Sequence, residues 1–380
     1  MNLLLFVIGA ALVYWLQMQF CKATWDRKLT ADTQFSEKQI REGGAAMLTA
    51  TVENRKMIPI VTVKVNVEVD RGLEFLDQSN LAISDKNYRS EIFSLRAWER
   101  VVREIPLYCA KRGYYQIDGV DLVGNDLFYT RRFTAHRKVS SSICVLPGKA
   151  DARQLMVATQ KMSGETVVRC SDCDDPFTFR GIRQYQPFDP IRDINWKASA
   201  KTGDLRVNIH DFTADQEIAI VLDTQWDALL RPDSLLEESI RIADSLAEEF
   251  VAKGISTSLQ TNSRDCLTGE AFQIGGGADV QHSYAISYGL ARVKIPAQRE
   301  ENLAAFLAER VEQMDAQPNR KVSWVLISTQ TGDDIRRQWE QIRLRAVKAY
   351  WIVPTHDPSE LPMWARMDPD MMVWEVPYGK

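Results

Sequence analysis

The apolar residues of this 380-residue chain change their spacing once, near residue 216. Between residues 30 and 147 they recur at every second position, most clearly from Val61 to Val69, where valines alternate with polar side chains. Such alternation is typical of strands with one face in a core and the other in water. Further short β-type runs, separated by glycines, span residues 101–108, 114–122, 128–133 and 143–146. We therefore expect residues 30–147 to form an all-β sandwich.

Beyond residue 216, short apolar strands alternate with segments of helical spacing. The first helix is predicted to begin with a capping box formed by Ser234 and Glu237 and to be closed by Gly254. Repeated βα alternation predicts a parallel sheet covered on both faces, and hence an α/β domain over residues 216–380. The predicted strands are residues 217–222, 255–261, 322–327 and 349–353.

The segment from Leu3 to Phe20 is nearly all apolar. At 1.5 Å per residue it can just cross a hydrocarbon core, so residues 1–21 are predicted to be a single transmembrane anchor. An uncleaved signal sequence and a buried core helix are the alternatives. Basic residues follow the span and none precedes it, which predicts that the bulk of the chain lies on the cytoplasmic side. These residues are Lys22, Arg27 and Lys28.

The stretch from Arg183 to Arg206 combines charge, aromatic side chains and turn residues at fixed offsets. It resembles the signature of the bacterial domain of unknown function 58 family, which typically reads Arg-x-Tyr-x-Pro-x-Asp-x-x-Arg-x-Ile-x-Trp-Lys-x-Ser-Ala-Arg-x-Gly-x-Leu. The resemblance implies a connecting segment at 148–215, a von Willebrand factor A-like fold at 216–380, and a MoxR-type AAA+ ATPase as companion. The positions that fit are Arg183, Tyr185, Pro187, Asp189, Arg192, Ile194, Trp196, Lys197, Ser199, Ala200, Gly203 and Leu205.

Residues 180–206 carry six basic and three acidic side chains, interleaved with aromatic ones. Because arginine and tryptophan are frequent interface anchors, we interpret the signature as a surface for an acidic partner. The alternative is structural, with Trp196 and Ile194 pinning the strand that joins the two domains and the arginines pairing with aspartates. The two roles can coexist. The predicted partner-binding residues are Arg183, Tyr185, Asp189, Arg192, Trp196 and Lys197.

A possible metal site follows the first strand of the α/β domain, because ligands of such sheets bind beyond the carboxyl ends of the strands. The metal-binding version of the implied fold uses Asp-x-Ser-x-Ser, which offers Mg²⁺ well-placed oxygens. Here the sequence is Asp223-Thr224-Gln225-Trp226-Asp227, without either serine. Asp223, Thr224 and Asp227 are the candidate Mg²⁺ ligands, and the alternative is that Asp223 caps a turn or helix. No other cofactor is expected.

The remaining sequence patterns argue against a nucleic-acid binder and a zinc site. A net charge of −4 provides no global attraction for nucleic acid. Cys170 and Cys173 have a spacing usable for zinc, but no paired histidines accompany them, so reduced surface cysteines are expected.

The sequence thus predicts a membrane-anchored, non-catalytic adaptor or assembly factor beside a MoxR-type ATPase. The alternative is a cation-dependent ligand binder or enzyme that uses the strand-end edge around Asp223.

Overall fold

The structure is a computed structural model that describes residues 2–77, 81–83, 87–126, 129–170, 179–185, 194–210, 217–226, 231–296, 302–317 and 320–378. The chain divides into two compact units, Met1–Gly148 and Lys149–Lys380. The first begins with an apolar helix, and the rest of its described residues form strands and turns. The elements of the first unit are α1 (Asn2–Thr24), β1 (Leu29–Phe35), β2 (Gln39–Arg41), β3 (Ala45–Asn54), β4 (Ile60–Val69), β5 (Leu73–Phe75), β6 (Leu81–Ile83), β7 (Asn87–Leu95), β8 (Arg100–Cys109), β9 (Gly113–Asn125) and β10 (Arg132–Leu146).

The strands form two sheets that enclose one apolar core, which confirms the predicted β-sandwich. One sheet has the order β1-β3-β8-β5 and the other β2-β10-β9-β4-β7-β6. Pairing is antiparallel except between β2 and β10. Alternate residues point inward, as along β3, where Leu48, Ala50 and Val52 are buried.

Three details of the predicted strands are wrong. Of the strand predicted at 128–133, residue 128 lies outside the described residues and residues 132–133 begin β10. Residues 129–131 form a turn, because the Asp126 carboxylate accepts hydrogen bonds from the backbone N–H groups of Thr130 (2.6 Å) and Arg131 (3.0 Å). Residues 143–146 are the end of the long strand β10. Val61 does not continue the inward row of β4, because the pairing with β7 is irregular between Ile60 and Val63. Val61 is 61% exposed.

The second unit contains a mixed sheet with helices on both faces. Five of its strands are parallel to their neighbours in the order β14-β13-β17-β18-β19, while β15 and β16 run antiparallel to β14. The strands predicted at 217–222 and 322–327 are confirmed to the residue. The elements are α2 (Ala152–Cys170), β11 (Phe179–Gln184), α3 (Trp196–Thr202), β12 (Arg206–His210), β13 (Glu217–Leu222), α4 (Asp233–Ala252), β14 (Ser256–Asp265), β15 (Ala271–Gly277), α5 (Val280–Arg292), β16 (Val293–Lys294), α6 (Leu303–Ala316), β17 (Val322–Ile327), α7 (Asp333–Arg345), β18 (Ala349–Thr355), α8 (Met363–Met367) and β19 (Met371–Glu375).

Apolar residues of the central strand β13 enter two cores, as a doubly covered sheet requires. Ile218 and Ile220 pack with residues of α2, α4 and α5, whereas Ala219 and Val221 pack with residues of α6 and α7. The segment 148–215 therefore contributes more than a connection, because Met162 of α2 is buried in the first of these cores.

Helix α4 begins two residues earlier than the predicted capping box allows. Its N-cap is Pro232, and no side chain caps it. The Ser234 hydroxyl instead lies 2.9 Å from His356 Nε2. The predicted glycine terminator is confirmed, because Gly254 adopts φ +75° and the N–H of Ile255 bonds back to the carbonyl of Phe250.

Candidate functional site

Asp223 lies directly after β13, where the strand order reverses. The connection from β13 leads to β14 on one side and later to β17 on the other, so the carboxyl end of β13 is the switch point of the sheet. Asp223 is fully buried there, and its N–H bonds to the carbonyl of Ile327 (2.9 Å) at the end of β17. Ser328, which directly follows β17, lies at the same edge.

Each carboxylate oxygen of Asp223 accepts two hydrogen bonds. Oδ1 accepts from Asn262 Nδ2 (2.6 Å) and from the N–H of Gln225 (3.0 Å). Oδ2 accepts from Ser328 Oγ (2.7 Å) and Gln330 Nε2 (3.1 Å). The donors come from β14, from the turn after β13 and from the turn after β17. One carboxylate thus ties together the carboxyl ends of three neighbouring strands.

Burial and hydrogen bonding act on this carboxyl in opposite directions. Burial penalises the charged form, while donors from Ser328, Asn262, Gln225 and Gln330 favour it. Burial has the larger effect and raises the pKa of Asp223 from 3.8 to about 6. The group therefore titrates close to neutral pH.

The next two residues are also held inward. The Thr224 hydroxyl hydrogen-bonds to Ser263 Oγ, and the backbone N–H of Thr224 donates to Asn262 Oδ1 (3.2 Å). Gln225 Oε1 accepts from the N–H of Asn302 (3.1 Å) before α6. Asn262 and Gln330 were missed from the sequence, since a lone amide side chain carries no periodic signal.

The described donor set does not fit Mg²⁺. A divalent ion takes carboxylate oxygens with free lone pairs, whereas both oxygens of Asp223 already accept two donors. Asp227, the third predicted ligand, lies outside the described residues. Among the described residues, no group of three or more His, Cys, Asp or Glu side chains is placed to hold a metal ion.

We predict no saturable Mg²⁺ or Mn²⁺ binding by the purified protein at physiological concentrations. A cation would have to displace the four donors that surround Asp223. Isothermal titration calorimetry on the wild type measures this directly. Binding that disappears in Asp223→Asn would overturn the prediction and support the cation-dependent alternative.

The described part of the signature forms a strand, a short helix and a second strand. β11 pairs with β12 in an antiparallel ribbon, and Ile194 extends the pairing through a bridge to Val207. The N–H of Tyr185 donates to the carbonyl of Leu205 (2.9 Å). Arg183 is described only by its backbone in β11, and Asp189 and Arg192 lie outside the described residues.

Helix α3 is fixed at both ends. Asn195 is its N-cap, with Oδ1 accepting from the N–H of Ala198 (2.9 Å), and Gly203 ends it with φ +80°. The buried Ser199 hydroxyl donates to the carbonyl of Asn195 (2.8 Å) and accepts from the N–H of Arg206 (2.9 Å). These bonds tie α3 to β12 and occupy the hydroxyl in a structural role.

Trp196 is not the core pin that the structural interpretation proposed. Its side chain is 64% exposed on the first turn of α3, and Lys197 beside it is exposed too. Ile194, which is 8% exposed, is the buried pin of this segment. In a continuous strand Ile194 and Trp196 would share one face, and the sequence did not show that α3 begins at Trp196 and ends this repeat.

We expect Ile194→Ala to lower the free energy of unfolding by about 2–4 kcal/mol, because it leaves a cavity beneath the ribbon. Trp196→Ala is expected to change it by no more than about 0.5 kcal/mol, because the indole is mostly solvated. Chemical denaturation of the two variants checks this. The reverse ranking would return Trp196 to the core.

No family model matches this chain, and no curated protein matches it. Three similar solved structures each cover about a third of it. The CARDB domain of a Pyrococcus furiosus protein, solved in complex with di-metal ions, is 16% identical over 29% of this chain and 91% of that chain, with a TM-score of 0.20. A non-cellulosomal cohesin from Archaeoglobus fulgidus is 11% identical over 31% of this chain and 91% of that chain, with a TM-score of 0.22. The sixth cohesin of Acetivibrio cellulolyticus scaffoldin B, in complex with a Cel5 dockerin mutant, is 11% identical over 31% of this chain and 98% of that chain, with a TM-score of 0.23.

Proposed function

We propose that this chain is a membrane-anchored, non-catalytic adaptor or assembly factor that acts with a MoxR-type AAA+ ATPase. The observation that carries the proposal is the exposed Trp196 on a helix that is held rigidly by its caps and by Ser199. A large aromatic side chain on a fixed support loses little conformational freedom on binding, which suits an interface anchor. Lys197 and Lys201 on the same helix and Leu205 shortly after it are also exposed, and they add positive charge and apolar area. This surface, formed by Trp196, Lys197, Lys201 and Leu205, is the docking surface of the proposal.

The identity of the partner follows from the family resemblance of the signature. The net basic charge of residues 180–206 favours an acidic face on the ATPase. We also propose that the second unit is von Willebrand factor A-like. Its parallel core, its switch point at β13 and the position of Asp223 support that assignment.

The anchor is supported by α1. Residues Phe6–Thr24 form a helix long and apolar enough to cross a membrane, and a signal sequence would pass the same test. With 23 residues, α1 is about 35 Å long. Lys22, Arg27 and Lys28 after it favour a cytoplasmic position for both units.

Co-purification of the full chain from detergent-solubilised membranes tests the adaptor role. We expect the wild type to recover the ATPase and Lys197→Glu with Lys201→Glu to lose it, because the substitutions reverse the charge that the partner meets. Lys111→Glu with Lys138→Glu, which makes the same change at exposed lysines of the sandwich, is the matched control. If the folded Lys197→Glu, Lys201→Glu variant recovers as much ATPase as the control variant, the segment has a purely structural role.

Thiol labelling tests the orientation. A cysteine introduced at the exposed position Lys111 should react with a membrane-impermeant reagent only after the cells are opened. Reaction on intact cells would place the sandwich outside and contradict a contact with a cytoplasmic ATPase.

A further inference from the structure

Three turns lie at one end of the sandwich. They are the β3–β4 turn at 55–59, the β7–β8 turn at 96–99 and the β9–β10 turn at 126–131, of which residues 127–128 lie outside the described residues. The N–H of Trp98 donates to the carbonyl of Lys56 (3.3 Å). Asn54 Nδ2 donates to the carbonyls of Ile58 (3.0 Å) and Arg96 (2.8 Å), which ties the first two turns together.

Helix α1 ends on this same surface. Lys56 Nζ donates to the carbonyls of Thr24 (2.7 Å) and Trp25 (2.5 Å), which satisfies carbonyl groups at the end of the helix. The β9–β10 turn reaches further along the helix, because Thr130 Oγ1 lies 2.7 Å from Tyr14 Oη. Tyr14 lies ten residues before Thr24, so the contacts that these two turns make with α1 are about 15 Å apart along the helix.

Large apolar side chains project from these turns and from the first residues of β4. Met57 is 79% exposed, Trp98 65% and Tyr129 59%. With the exposed Ile58 and Val61 they form what we call the collar: Met57, Ile58, Val61, Trp98 and Tyr129. Ile58, Val61 and Tyr129 line one cavity with Phe20 and Trp25, so the collar is continuous with the base of α1. An exposed apolar patch of this kind marks an interaction surface.

The backbone of the collar is strained. Among the described residues, the non-glycine residues with positive φ are Lys28 (55°), Trp98 (57°) and Tyr129 (57°). Two are collar aromatics, and the third belongs to the same end, since its carbonyl accepts from the N–H of Arg55 (2.9 Å). Bulky side chains seldom adopt this conformation unless the position of the side chain serves a function.

Exposed basic side chains lie at the end of α1, in the β7–β8 turn and where the β9–β10 turn meets β10. Positive charge on the elements that carry the collar is attracted to anionic lipid headgroups. The basic residues are Lys22, Arg27, Lys28, Arg96, Arg131 and Arg132.

We propose that the collar is a lipid-contacting surface that enters the headgroup layer of the membrane crossed by α1. This inference rests on the membrane anchor of the proposed function. Continuity with α1 identifies the occupant, because a span that ends at the collar brings lipid to these side chains. The collar contacts α1 at Thr24, where the span Phe6–Thr24 ends, and so lies at the depth of the membrane interface. Tyrosine and tryptophan are the side chains that proteins favour at that depth.

Tryptophan quenching in proteoliposomes tests the proposal with the full chain. The vesicles contain phosphatidylcholine and phosphatidylglycerol, with or without a phosphatidylcholine brominated near the headgroup end of its acyl chains. The fluorescence of the wild type minus that of Trp98→Phe isolates Trp98. We expect this difference signal to be quenched by the brominated lipid and protected from aqueous iodide. The fluorescence of the wild type minus that of Trp196→Phe isolates Trp196 in the same way. Trp196 lies in the second unit and is as exposed as Trp98, so its response is the reference.

The proposed lipid contact is overturned if iodide quenches the Trp98 signal and the brominated lipid does not. The apolar residues of the collar would then be a surface for a protein partner. Met57→Glu with Val61→Glu adds a second readout, because both side chains are exposed and the fold should tolerate the change. We expect this variant to regain iodide quenching of Trp98 at an unchanged thermal midpoint. Unaltered lipid contact in the variant would also count against the proposal.

Failure of the anchor is distinguished by alkaline carbonate extraction of the wild type. Release into the supernatant contradicts the anchor and with it the membrane part of the proposed function. Retention in the membrane together with an iodide-accessible Trp98 contradicts the collar alone.

Discussion

Asp223→Ala is expected to lower the free energy of unfolding of the second unit by about 3 kcal/mol or more. The substitution leaves the donors of Asn262, Gln225, Ser328 and Gln330 facing a buried cavity, and each unsatisfied donor costs about 1–3 kcal/mol. Loss of the buried charge offsets part of that cost. Urea denaturation monitored by circular dichroism measures the change. A variant as stable as the wild type would show that Asp223 does not join the strand ends.

Asp223→Asn is the matched variant and separates charge from shape. Its amide keeps one acceptor, and the Ser328 hydroxyl can rotate to accept from the new NH₂ group. We therefore expect a smaller loss than for alanine. Equal losses in the two variants would assign the whole effect to the carboxylate charge.

The pH dependence of stability provides an independent check on the same group. Burial raises the pKa of Asp223 to about 6, above its ordinary value of 3.8. Between these two values the folded protein binds more protons than the unfolded chain, so the free energy of unfolding falls as pH rises through that window. The stabilisation is fully present below the lower value and is lost above the higher one. The wild-type advantage over Asp223→Asn should therefore shrink from pH 4 to pH 6, and a constant difference would contradict the burial argument.

Glu91→Ala is expected to cost the sandwich about 3–5 kcal/mol, because it breaks a buried ion pair and leaves the guanidinium of Arg89 to the half-exposed carboxylate of Asp77. Glu91 Oε1 accepts from Arg89 Nε (2.6 Å), and Oε2 from Arg103 Nη1 (2.5 Å). Arg89 and Glu91 are both buried, and Arg89 also contacts Asp77 (3.0 Å). Thermal and denaturant unfolding report the loss.

Glu53→Ala is the control for this prediction. Glu53 pairs with Arg55 (2.8 Å) on the same sandwich, but the arginine is largely exposed and water screens the pair. We expect no measurable change in stability. Equal destabilisation by Glu91→Ala and Glu53→Ala would show that burial does not determine how much these ion pairs contribute to the free energy of unfolding.

The sequence was sufficient for the features that many residues specify together. The alternation along β3 and β4, the all-apolar strand β13 and the glycine terminator at Gly254 each follow from local physical chemistry, and the structure has them. Features that depend on a single contact could not be predicted from the sequence. Val61 faces outward because of one irregularity in strand pairing, which the valine pattern conceals.

The candidate site was predictable only in outline. Asp223 and Ser328 follow apolar strands, and parallel strands bring their carboxyl ends together. Asn262 lies within β14 and Gln330 within a turn, and only the fold brings their amides to one carboxylate. The exposure of Trp196 was equally hidden, because its environment depends on where the seven-residue helix α3 begins.

The most direct test of the central claim is the affinity of the purified full chain, in detergent, for the purified MoxR-type ATPase. Fluorescence anisotropy with labelled ATPase should give saturable binding by the wild type. Trp196→Ala should bind at least about ten-fold more weakly, the loss typical of an anchor residue worth about 1.4 kcal/mol or more. Its thermal midpoint should stay at the wild-type value. No saturable binding by the wild type, or equal affinity for the two proteins, would contradict an adaptor that docks through this surface.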